Sequence, residues 1–168
     1  MGHSGLMSVT ISAEPFGSPE SRRLILALDD YLTGLYPPED NFLDVAADEL
    51  TDRRGTFLIA RKDSVAVGCG AVRRISSTTA EVKRMFVVPS ARERGIGGHI
   101  LVDLEAWAIA AGVTRLVLET GNRQDEAIRL CERFGFVAIP CFGEYADSKQ
   151  SRCFEKILVP TSTRERPI

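Results

Sequence analysis

The sequence predicts one α/β (α+β) domain, a mixed and mostly antiparallel central sheet of about six or seven strands flanked by about four helices. Three observations carry this. Residues 56–88 read as three consecutive strands joined by short links, a meander without a helix-length pattern inside it. Residues 95–139 then run helix, strand, helix, strand. The chain has 168 residues, 44% apolar and 26% charged, enough for one core that buries roughly two thirds of the unfolded surface.

Composition excludes several classes of function. Net charge is −2 with a pI near 5.8, so no general basic surface points to nucleic acid or to an anionic membrane. No apolar run approaches the ~18 residues of a membrane span, and no basic segment precedes an apolar one at the start, so a cytoplasmic protein is expected. Cys69, Cys131, Cys141 and Cys153 lack metal-type spacing and are expected to be reduced, with no metal bound. Residues 1–6 precede a second methionine, Met7, and are set aside with His3. The polar tail 161–168 is expected to be flexible, leaving a domain over 7–160.

In chain order, Ser8–Ala13 alternates as a short half-buried strand. Ser18, Pro19 and Glu20 form a helix start, and Leu24, Leu28, Tyr31, Leu32 and Leu35 give the helix a core-facing stripe until Pro37-Pro38 ends it. A second short helix is expected over Leu43–Leu50. The link between them carries Tyr36, Glu39 and Asp40, which would make an acidic rim for a cationic acceptor if it faced a site, and otherwise a solvated turn. Strands follow over Thr56–Arg61, Val65–Arg73 and Thr78–Val88, the first two as a hairpin around Lys62-Asp63-Ser64.

The third of these strands leads into the stretch that carries the chemistry. Alternation puts Glu81, Lys83, Met85 and Val87 on one face and Val82, Arg84, Phe86 and Val88 on the other, and neither face is wholly apolar. A bulge near Met85–Val87 would exchange the faces partway and free backbone groups for a ligand. Pro89 ends the strand, and Arg92-Glu93-Arg94-Gly95-Ile96-Gly97-Gly98 opens a helix that runs to Gly112. A helix opened this way presents unpaired N–H groups and its positive dipole end to one point, and that point suits a phosphate. A Walker loop would need Gly-Lys-Ser/Thr, which is absent. A dinucleotide fingerprint would need a third glycine at Ile100 and less than the six residues between Val88 and Gly95, although Glu119 sits where a ribose-binding acid falls.

Arg92-x-x-Gly95-x-Gly97, after a strand ending Val-x-Pro and before a helix, resembles the Arg/Gln-x-x-Gly-x-Gly/Ala signature of the GNAT N-acetyltransferases. Gln124-x-x-Ala127-Ile128-x-Leu130-Cys131-x-x-Phe134-Gly135-Phe136 resembles the same family's second signature, and together the likeness covers residues 56–158 well. The resemblance implies a GNAT-like fold with a splayed parallel strand pair, ending near Val88 and Leu118, and acetyl-CoA as cosubstrate. It implies that Arg92 and the backbone of Arg94, Gly95, Ile96, Gly97 and Gly98 hold the pyrophosphate, that Phe86, Val87 and Val88 pair with the pantetheine arm, and that Gln124 adjoins the donor. It further implies direct transfer to a primary amine of a small molecule, of the amino acid, polyamine or antibiotic type, with an oxyanion met by a backbone N–H near Val87.

The family's usual tyrosine after the leucine is Cys131 here, so the general acid is expected to be Tyr145 or, more weakly, Cys131. Glu81, fourteen positions before Gly95, matches the strand position from which some histone acetyltransferases supply a catalytic glutamate, and it is the candidate base, the alternative being a solvated carboxylate paired with Lys83 or Arg73. His99, beside the turn, reads as a helix-surface residue. Tyr36 and Glu39 are candidate acceptor contacts, while Arg73, Lys83, Arg84 and Arg123 could equally recognise a carboxylate. The alternative to turnover is a module that binds or senses acyl-CoA without catalysis. A last strand over Ser151–Val159 could pair at an edge to make a homodimer.

Overall fold

The structure, a computed structural model, describes residues 8–40 and 45–159. The segment 1–6, the tail 161–168 and the start of the expected second helix at Leu43 lie outside the described residues. Strand β1 (Val9–Ala13) is followed by helix α1 (Pro19–Leu35), then β2 (Gly55–Lys62), β3 (Val65–Arg74) and β4 (Thr79–Val87). Helix α2 (Ile96–Ala110), β5 (Arg115–Gly121), α3 (Asp125–Arg133), β6 (Val137–Ile139) and β7 (Ser151–Ile157) complete the chain.

Local signals set the helix ends. Ser18 is extended, and its Oγ accepts the N–H of Ser21 at 3.2 Å, which satisfies one of the orphan donors at the start of α1. Leu24 and Leu28 bury the stripe of α1, but Tyr31 is 38% exposed. In the described part of the helix expected over Leu43–Leu50, residues 45–50, the chain forms a 3-10 turn, Ala47–Leu50. Only Leu50 of that turn is buried, so no apolar stripe offsets the cost of nucleating a longer helix.

The seven strands lie in the order β1-β2-β3-β4-β5-β7-β6. All neighbours are antiparallel except β4 and β5, whose parallel register runs from Thr79↔Arg115 to Val82↔Leu118 and stops there. Beyond Val82 the two strands part, as the resemblance implies. Helix α2 packs Ile100, Leu101 and Leu104 against Val82, Leu116 and Leu118 on one face of the sheet, while α1 packs Leu24 and Leu28 against Phe57, Ile59 and Phe86 on the other. The gap between β4 and β5 therefore opens between two filled layers.

The bulge in β4 lies at Arg84 and Met85, slightly before the expected position. Register passes from Ala71↔Lys83 to Cys69↔Phe86, so two residues of β4 oppose Gly70, and Arg84 takes φ +59°, a left-handed conformation that is strained for a residue with a Cβ. Two sequence expectations are corrected. Cys141 and Cys153 are paired as a disulfide, because Ile139 faces Cys153 across the antiparallel β6–β7 ladder and the chain just beyond returns toward it. Strand β7 lies inside the sheet, so the edges open to a second copy are β1 and β6.

Candidate active site

The glycine-rich turn gives one wall. Glu93 and Gly95 both have positive φ, +65° and +77°, and the second is free of steric cost because glycine has no Cβ. Helix α2 then starts with no side-chain cap and no acidic residue in its first turn. The N–H groups of its first turn are thus directed, with the dipole, at whatever lies beyond. What lies there is a groove of about 650 Å³, lined by Phe86, Val87, Arg92 and Gly95 to Gly98 on one side and by Arg123, Arg129 and Arg133 on the other. Gly98 has a packing reason of its own: a Cβ there would lie 2.6 Å from Cζ of Phe134, so α3 can approach α2 only because the residue is glycine.

Three donor-side residues sit otherwise than expected. The Arg92 Nε donates to the Val87 carbonyl at 2.9 Å, and its guanidinium lies 5.2 Å from the Tyr31 ring and 5.8 Å from Phe86. Stacking of this kind is favourable for arginine, and it accounts for the exposed Tyr31. Arg92 therefore borders the groove while being folded back onto β4. Val88 donates its N–H to Val67 on β3 at 2.8 Å and does not line the groove. Arg94 and His99 are exposed and outside the groove lining.

A second cavity, of about 130 Å³, lies between the parting strands and shares Leu28, Met85, Gln124, Ala127 and Leu130 with the groove. Cys131 and Tyr145 border it, as do Lys83, Arg84 and Glu119. Burial pushes the Cys131 thiol up to about 12, so it stays protonated. The Tyr145 hydroxyl donates to Oε2 of Glu81 at 2.7 Å, and burial together with that carboxylate raises its pKa further above the ordinary phenol value. Glu81 itself is 2% exposed and does not line the cavity. Its Oε1 accepts from Nε and Nη2 of Arg73, at 3.1 and 3.0 Å, and Arg73 also reaches Glu49 at 3.1 Å. The chain Glu49–Arg73–Glu81–Tyr145 thus ties an N-terminal turn to the turn before β7.

Glu119 is the residue sequence reasoning weighed only as a ribose ligand. It follows the last parallel pair, at the carboxyl end of β5, where ligands of parallel strands generally bind, and that position was the available signal. Burial pushes its carboxyl up to about 7, with a hydrogen bond to Ser151 and the charge of Lys83 opposing the shift in part. Arg129 and Arg133 were missed as well, because only the packing of α3 turns them toward the groove. Tyr36 is no rim residue: it is 6% exposed, and its phenolic oxygen accepts the backbone N–H of Arg123 at 3.0 Å, pinning the loop before α3. Glu39 is exposed and lines neither cavity.

Residues 22–136 match the Acetyltransferase (GNAT) family. The chain is 41% identical, over 153 residues, to the IAA acetyltransferase of Azospirillum brasilense, covering 90% of this chain and 99% of that protein. It superposes on a candidate acyl-CoA N-acyltransferase from Klebsiella pneumoniae with a TM-score of 0.77 and 30% identity, covering 90% of this chain and 98% of the other. It also shares its fold with a GNAT acetyltransferase from Elizabethkingia anophelis solved with acetyl-CoA bound, at a TM-score of 0.63 and 20% identity, over 89% and 98% of the two chains.

Proposed function

The chain belongs to the GNAT acetyltransferase family, and we propose that it is an acetyl-CoA-dependent N-acetyltransferase that acts directly on a primary amine of a small molecule, of the amino acid, polyamine or antibiotic type. The observation that carries this reading is the pair of adjoining cavities, one bordered by the uncapped start of α2 and the other by a carboxyl that titrates near neutrality. The residues of the groove fit acetyl-CoA. The first-turn N–H groups and Arg129 and Arg133 suit its phosphates, and the edge of β4 beyond Val82, which has no β5 partner, suits its amide arm. Bound there, acetyl-CoA supplies an activated acetyl group on a thiol leaving group.

The chain's own residues then have to move a proton. An amine attacks only when neutral, and a base whose pKa lies near the working pH is best placed to receive its proton. Two carboxylates compete for that role. Glu81 is held by Arg73 and Tyr145 behind the cavity wall, whereas Glu119 borders the cavity and titrates at about 7. The base we propose is therefore Glu119, with Glu81 fixing the position of Tyr145. Neither Cys131, at about 12, nor Tyr145, raised above its ordinary value, is acidic enough to hand a proton readily to a thiolate of pKa ~8.5. Cys131 serves better as a hydrogen-bond donor to the departing sulfur, because the single O–H of Tyr145 is already given to Glu81.

The test is thiol release from acetyl-CoA against a panel of amines, amino acids, polyamines and aminoglycosides, with IAA included because the Azospirillum relative is named for it. With Glu119 as base, kcat/KM rises with pH through about 7, as the carboxyl loses its proton, and levels off above. Glu119→Gln should lower it about 100-fold or more and erase that limb, while Glu81→Gln should keep the limb. A limb that survives in Glu119→Gln and vanishes in Glu81→Gln would return the role to Glu81. Absence of release with every acceptor, alongside measurable acetyl-CoA binding, would favour a binding module.

A further inference from the structure

We propose that the cavity between β4 and β5 is built for an acceptor that carries a carboxylate beside its amine, with Lys83 and Arg84 receiving the carboxylate. This rests on the amine-transfer reading above and narrows it to acceptors of the amino acid type. Lys83 and Arg84 sit at the bulge of β4 and both line the cavity. Their side chains are only 6% and 4% exposed.

Buried cations are normally paired and fully hydrogen-bonded, because removing a charge from water is costly. Here the pairing is incomplete. One guanidinium nitrogen of Arg84 reaches Asp29 at 2.7 Å, but its Nε and Nη1, and Nζ of Lys83, have no hydrogen-bond partner among the described residues. The carboxylate paired with Lys83 is Glu144, 3.5 Å away with a half-exposed side chain, and the Tyr145 ring lies 5.7 Å from the ammonium. Of the other cations that sequence suggested for an anion, Arg73 is engaged with Glu49 and Glu81, and Arg123 donates to the Leu35 carbonyl beside the other groove.

A carboxylate can accept several hydrogen bonds at once, so one small ligand group would satisfy donors from both residues. A polyamine would instead add positive charge beside two buried cations, and a neutral amine would leave the donors unpaired. The two strands divide the work: β4 offers cations, and β5 offers Glu119 to the amine end. The cavity's 130 Å³ is about ten times the ~10–15 Å³ that one water needs, which suits a small α-amino acid.

The experiment compares matched acceptors with and without the charge, glycine against glycinamide and alanine against alaninamide, by thiol release from acetyl-CoA. Amidation lowers the basicity of the amine, so that bias opposes the expected result. The unsubstituted enzyme should prefer the carboxylate member by at least about tenfold in kcat/KM, mostly through KM. Lys83→Met should bring the ratio to within about threefold of unity, and Lys83→Arg should retain most of it. A ratio near one in the unsubstituted enzyme, or an unchanged ratio in Lys83→Met, overturns the proposal. If no amine of either kind is acetylated, the transfer reading fails separately. Calorimetric binding of glycine to the CoA-loaded protein, lost in Lys83→Met, would then still uphold the carboxylate site, and absence of binding would overturn it. Thermal melting and CoA binding by each variant serve as the folding control.

Discussion

The two walls of the cleft are built on opposite principles. The wall proposed for the donor is local and made mainly of backbone: seven consecutive residues, Arg92 to Gly98, form a turn and the start of a helix that has no side-chain cap. The wall proposed for the acceptor is dispersed and made of side chains. Lys83 and Arg84 come from β4, Glu119 from β5, Cys131 from α3 and Tyr145 from the turn before β7. A backbone site tolerates changes to its side chains, whereas a buried network of charges depends on every partner.

That contrast can be broken experimentally, and the largest effect should come from the acceptor side. Arg73→Met leaves Glu81, 2% exposed, without its counterion, and removal of one partner from a buried pair typically costs ~3–5 kcal/mol. Denaturant unfolding of this variant should show most of that loss, and a change under about 1 kcal/mol would mean that the Glu81–Tyr145 bond alone suffices. The next effect belongs to the donor side but comes from packing. Gly98→Ala places a methyl against Phe134 and should cost about 1–3 kcal/mol while weakening acetyl-CoA binding as α3 is displaced. Phe134→Leu added to it should recover stability; if it does not, the cost lies in the helix start itself. The smallest effect is expected at Arg92. Because its Nε is committed to Val87 and the N–H groups of α2 remain, Arg92→Gln should weaken acetyl-CoA by less than about tenfold in a titration at physiological salt. A larger loss would mean that the arginine swings out to the phosphates and that the donor wall is less purely a backbone site.

Legibility followed the same division. The strand, turn and helix beside the groove could be read because glycine, proline and the arginines act through neighbours in sequence, and the helix start at Ser18 was visible for the same reason. The described part of the helix expected over Leu43–Leu50 is a 3-10 turn, and the pattern there could not reveal that Leu50 is the one buried residue of Ala47–Leu50. Glu81 read either as a base or as a solvated carboxylate paired with Lys83 or Arg73; the Arg73 pairing is present, but nothing in the sequence says that Glu81 is buried or that Tyr145 meets it. Tyr36 looked like a rim residue because the backbone N–H it accepts belongs to Arg123, far along the chain.

By itself, then, the sequence determined the mixed, mostly antiparallel sheet and the glycine-rich turn that opens α2, while the resemblance carried by its two signatures implied the splayed strand pair. The sheet and the turn depend on period, turn chemistry and spacing, which are local quantities. Only the tertiary structure decided which carboxylate borders the cavity, which arginines face the groove, that Cys141 meets Cys153, and that two cations of β4 are buried without a full set of partners. Burial and pairing are set by residues far apart in the chain, and a charge acquires its chemistry from whatever the fold brings beside it.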